Sequence, residues 1–127
     1  MAAMLGQFRG EGGLVICAPV YAELLAHPKA TPEFVDGFLG HTGIVVEFAL
    51  GEPIWRQAGG RFSGYARRRR LSAGGAPRRL LVDFLIGAHA LAQADCLLSL
   101  DPTRYIQDFP ELKILPSGES TTALGND

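Results

Sequence analysis

Residues 14–17 (LVIC) and 96–100 (CLLSL) are apolar at nearly every position instead of at alternate ones. A strand wetted on one face alternates apolar and polar residues, so a run that does not alternate has to be covered on both faces. Two further runs, 43–49 (GIVVEFA) and 112–115 (LKIL), extend the set, and helical patterns fall between them. Strands alternating with helices in this way predict an α/β fold, with a mostly parallel sheet and helices on both faces.

The helices are marked by their ends. Pro19 opens residues 19–27 (PVYAELLAH) and Pro28 closes them, since proline fits a first helical turn but cannot continue a helix. Thr31 caps the next helix, Pro32 and Glu33 suit its positive end, and Gly40 ends it. Residues 51–70 place Ile54, Ala58, Phe62 and Tyr65 on one stripe, although the glycines among them weaken the helix. Residues 72–77 read as a loop, 78–93 as the strongest helix, and a short helical turn is expected near Tyr105. Residues 2–9 read as the end of a helix, with Ala2, Leu5 and Phe8 at helical spacing before a glycine-rich stop, and residues 116–127 as a flexible tail.

A length of 127 residues suits one domain, here residues 1–115, able to bury a core without disulfide or metal staples. Cys17 and Cys96 stand far apart in apolar runs without metal-ligand spacing, which predicts buried thiols and a cytoplasmic setting. Asp83 and His89 interrupt the longest apolar stretch. No run therefore reaches the ~18 residues of a membrane span, and no membrane partner is expected. The net charge of −1 conceals segregation, because Arg61, Arg67, Arg68, Arg69, Arg70, Arg78 and Arg79 are seven of the twelve basic residues.

Three carboxylates lie where such a sheet would expose a ligand site, beyond the carboxyl ends of its strands. Asp101 follows CLLSL at once, Glu23 rides the helix after LVIC, and Asp83 lies in the helix before CLLSL. Three acids at one edge repel and raise one another's pKa unless a cation sits among them. A hard, oxygen-preferring Mg²⁺ or Mn²⁺ answers that need and would neutralise Asp83, with Gly87 one turn on leaving space in front of it.

On these residues the chain resembles the PIN-domain ribonucleases, and among them the VapC-type toxins of toxin–antitoxin pairs. VICAPVYAELL is similar to the family's strand and helix with the glutamate at Glu23, DFLIGAHAL carries the helical aspartate at Asp83, and ADCLLSLDPTRYIQDFPELKIL matches the closing strand, aspartate and final strand at Asp101. The resemblance spans residues 10 to 115 and implies a three-layer PIN-like fold. It also implies an endoribonuclease that uses Mg²⁺ or Mn²⁺ to cut RNA, often transfer RNA, held inactive by a cognate antitoxin and assembled as a homodimer. Glu23, Asp83 and Asp101 would hold the metal, and Ser99, where the family carries Thr or Ser, would hydrogen-bond within the site.

Family members open with a further strand ending in aspartate, followed by Thr or Ser, and that strand is central in the sheet. Here the first strand and its acid are missing, which would leave two strands without a ladder partner at a cost of roughly 1–3 kcal/mol per buried unpaired group. The expectation is an N-terminally incomplete chain, such as one with a late-called start; a decayed toxin, or another segment filling the gap, are the alternatives.

Blander readings stand beside these. Asp83 suits a helix N-terminus, Glu23 a solvated helix face and Asp101-Pro102 a turn. Arg67, Arg68, Arg69 and Arg70 are favourable at a helix C-terminus, whereas Arg78 and Arg79 sit at the start of the 78–93 helix, where cations are disfavoured; RNA phosphate contact is their rival role. Asp95 reads as a cap, and His89, about 240° around the helix from Asp83, as structural. The competing function is a binding module that retains antitoxin or RNA without cleavage.

Overall fold

The computed structural model describes residues 4–9, 13–72, 78–99 and 101–115. The expected tail at 116–127 and all but the first residue of the expected loop at 72–77 lie outside them. The elements run β1 (Met4–Arg9), β2 (Gly13–Cys17), α1 (Ala18–Leu25), α2 (Pro32–Thr42), β3 (Val45–Glu47), α3 (Gly51–Leu71), α4 (Leu81–Gln93), β4 (Cys96–Ser99), α5 (Thr103–Ile106) and β5 (Ile114–Leu115). The fold is mixed α/β, as the unbroken apolar runs require.

One sheet joins all five strands in the order β3-β2-β1-β4-β5. β2 pairs parallel with β3, and β4 with β5. The helical expectation is corrected for residues 4–9, the part of 2–9 that the structure describes: they form a strand, and the centre of the sheet has no gap. β1 lies between β2 and β4 and is antiparallel to both, with Phe8 opposite Leu14 on one side and Cys96 on the other. The register shifts once, between Met4 and Gly6. Two unpaired ladders would leave many backbone groups without partners, and satisfying them outweighs the weak helical spacing of a short segment.

Crossovers between parallel strands need a dozen or more residues, and α1 with α2 provide one. Thr31 accepts a hydrogen bond from the Phe34 N–H at 3.0 Å, the expected cap. The helix runs past Gly40 to Thr42, and Gly43 at φ 76° makes the left-handed exit that an L-residue avoids. α3 is unbroken despite its glycines, and it buries Ile54, Ala58 and Tyr65 as the stripe predicts. Tertiary packing compensates for the low propensity. An aromatic cluster ties α3 to α4: Phe84 has Phe62 at 5.2 Å, Tyr65 at 5.5 Å and Phe109 at 6.0 Å between ring centroids.

Gly87 has a different use from the one its position suggests. The Phe109 ring fills the place of a side chain there, and an added Cβ would stand 2.5 Å from Phe109 Cε2. The glycine therefore admits an aromatic ring into the core and leaves no open space beside Asp83. Cys17 and Cys96 are buried and free. Among the described residues no helix is long and apolar enough to cross a membrane.

Candidate functional site: a guanidinium between two aspartates

A helix that precedes a parallel strand runs opposite to it, so the N-terminus of α4 lies over the carboxyl end of β4. This geometry brings Asp83, in the first turn of α4, near Asp101, just beyond β4. Asp83 is 5% exposed, and burying a lone carboxylate would be costly. Three features compensate it. The Leu80 N–H donates to Asp83 Oδ2 at 2.9 Å, the helix N-terminus supplies positive potential, and Arg104 Nη1 lies 3.3 Å from Oδ2 and 3.4 Å from Oδ1.

Arg104 also donates from Nε to Asp101 Oδ2 at 2.9 Å, so one guanidinium spans both acids. Its contact with Asp101 is short and its contact with Asp83 is at the long limit of a hydrogen bond. Burial opposes the Arg104 charge, but Asp83 and Asp101 outweigh it and raise the pKa. Thr103 Oγ1 donates to Asp101 Oδ1 at 2.6 Å. That bond, then Arg104 and Arg79, hold the Asp101 carboxyl below its usual range against a small desolvation cost. Ser99 Oγ accepts from the Asp101 N–H at 3.0 Å and fixes the backbone after β4.

Glu23 sits on α1, partly exposed. Its charge acts on Cys17, whose thiol burial pushes up to about 11 with Glu23 and Glu47 adding to the shift. Among the described residues, no three His, Cys, Asp or Glu side chains form a group that would hold a metal ion. Asp83 and Asp101 are thus brought together and Glu23 is not grouped with them. The cation that the structure places between the two aspartates is the Arg104 guanidinium. Tyr105, buried beside this pair, has its hydroxyl held neutral by desolvation and then by the Asp83 charge.

The other singled-out residues separate cleanly. His89 is buried and turned away from the aspartates, with Nε2 2.6 Å from Glu47 Oε1 on β3. Asp95 is exposed at the amino end of β4. Arg61 is a clamp, reaching the Asp108 carbonyl at 2.7 Å, both Glu111 oxygens at 2.8 and 2.6 Å, and the Phe109 ring at 4.7 Å. The Arg68 guanidinium pairs with Asp108. Arg69, Arg70, Arg78 and Arg79 gather around one hollow with Phe62 and Tyr65, while Arg67 is exposed on α3.

Arg104 and Thr103 are the residues that sequence reasoning missed. The signal was present in DPTR, where a helical turn after Asp101 returns an arginine three positions on. No family model, characterised protein or solved structure matches the chain.

Proposed function

We propose that this is a three-layer PIN-like domain acting as a metal-dependent endoribonuclease of VapC type, with RNA, possible transfer RNA targets included, as substrate. The observation that carries the reading is the convergence of Asp83 and Asp101, from two elements, on a single cation beyond the carboxyl end of β4. A 5% exposed aspartate beside a second one is the kind of perturbed acidic pair that functional sites concentrate.

In this reading Asp83 and Asp101 would hold Mg²⁺ or Mn²⁺, with Glu23 on α1 outside the pair. The ion, when bound, lowers the pKa of a water and offsets charge on the attacked phosphate. Asp101, kept ionised by Thr103 and Arg104, serves as a ligand and is a poor proton acceptor near neutral pH. Ser99 and the Leu80 N–H position the two acids. Arg104 offers a planar fork to a phosphodiester whenever a metal ion relieves it of the aspartates. A cognate antitoxin, a homodimer and a cytoplasmic location belong to the same proposal.

Cleavage of a structured RNA with and without Mn²⁺ tests it. Asp83→Asn and Asp101→Asn are expected to lower cutting on the order of 100-fold, as loss of a transition-state electrostatic contact does. Mn²⁺-independent or absent cutting by the native chain overturns it. The second reading, a module that binds RNA or antitoxin without cleavage, is favoured by one observation: Arg104 already neutralises the aspartates and no third acid joins them. It predicts RNA binding with no cutting in any metal.

A further inference from the structure

The end of α3 and the residues leading into α4 form two adjoining hollows of about 260 and 320 Å³ that share Tyr65, Arg69 and Arg79. Arg70, Arg78 and Phe62 complete the larger one. Guanidinium groups gathered around one hollow raise its positive potential, which favours an anion there. Arg68, nearby, has such a partner in Asp108. Arg70 and Arg78 are exposed and make no ion pair among the described residues.

The placement is also not the ordinary helix-end arrangement. Arginines in the last turn of α3 are favoured by its negative end, but Arg78 and Arg79 stand just before α4, where the helix potential disfavours cations. Arg79 is nevertheless fixed there: its N–H donates to Tyr65 Oη at 2.5 Å and its guanidinium to the Thr103 carbonyl at 2.9 Å. Thr103 in turn holds Asp101. Two hydrogen bonds therefore connect the arginine hollow to the aspartate pair.

We infer that this hollow is a phosphate-binding subsite for single-stranded RNA, in which Arg69, Arg70, Arg78 and Arg79 take a backbone phosphate beside the one presented to Asp83 and Asp101. Guanidinium forks suit phosphate oxygens, and Phe62 and Tyr65, packed on Phe84, form the wall behind them. The choice of RNA as ligand rests on the nuclease reading; the anion site does not.

The test measures binding of a fluorescent single-stranded RNA by anisotropy in EDTA, so that no cleavage intervenes, over a range of salt. Arg70→Gln with Arg78→Gln should weaken binding at least about 10-fold near 0.1 M salt and flatten the log K against log salt slope by about 1 to 2. The charge-matched pair Lys29→Gln with Arg56→Gln, far from the hollow, should leave both nearly unchanged. Equal effects of the two pairs, or none, overturn the subsite, as does loss of binding to anionic lipid vesicles with RNA binding intact. Inorganic pyrophosphate should compete with the RNA in the native chain and not in the Arg70 and Arg78 variant; failure to compete also overturns it. Wild-type binding that responds in this way without any Mn²⁺-dependent cutting keeps the subsite and removes the nuclease.

Discussion

Two buried ionisable side chains lie six residues apart on α4 and are handled in opposite ways. Asp83 is served by several partners of moderate quality: a backbone N–H, a helix end, and a guanidinium at 3.3 Å shared with Asp101. His89, 1% exposed, has one close ion-pair partner, Glu47 at 2.6 Å. The first arrangement can exchange a partner without collapse, because the backbone contacts persist when the guanidinium moves. The second joins α4 to β3. The aspartate end and the histidine end of one helix thereby differ in how the buried group is held.

The largest expected effect concerns the residue that locks the middle of α4. Phe109→Ala should cost about 3–5 kcal/mol in urea unfolding, because it empties the place under Gly87 and removes a cluster ring. Gly87→Ala should cost about 1–3 kcal/mol, since the buried ring has no room to retreat. A value near zero for either would mean that α4 is not locked and that its two ends are free to behave alike.

At the histidine end, His89→Leu should destabilise by about 2–4 kcal/mol, leaving Glu47 without its partner in a site that is partly wet. At the aspartate end, Asp83→Asn should change unfolding free energy by only about 1 kcal/mol while lowering cutting on the order of 100-fold. Equal stability costs at the two positions would erase the distinction.

The smallest effects are titrations. Thr103→Val should return the Asp101 pKa toward 3.8 from its lowered value, read by carbon-13 NMR of the carboxyl. The sign follows from the lowering: the stability from Asp101 is present above its unfolded pKa and is lost as pH falls through the folded one. Arg61→Gln should likewise move Glu111 from about 2 toward 4.5, because the Arg61 hydrogen bond is its leading cause. An unmoved Glu111 would show that the clamp does not form in solution.

Much of this was legible in the chain. Unbroken apolar runs identify β2 and β4, Thr31 and Pro32 mark the start of α2, and the stripe on α3 finds its buried face. The position of Asp83 inside an apolar helix forecast a compensated charge, and Asp101 was found by its place after a strand. Arg104 escaped because its role depends on a fold-back that brings α5 under α4, which linear spacing reports only for Asp101. β1 escaped for a different reason: six residues with weak periodicity take their structure from the two strands beside them, and neighbours set by long-range pairing leave no local trace. Gly87 was visible, but the ring that needs it comes from Phe109, far along the chain.

The antiparallel strand at the centre of the sheet bears on how the molecule is made. Its pairing with β2 is a short hairpin, of a kind that closes in about 1–10 μs, while its pairing with β4 joins segments far apart in the sequence. During synthesis at roughly 5–20 residues per second, the far edge of Met4–Arg9 stays open until Cys96–Ser99 has left the ribosome. For several seconds each nascent copy carries an unsealed strand edge, and crowding on polysomes, more than heat or denaturant, is the condition that would bring its misassembly into view.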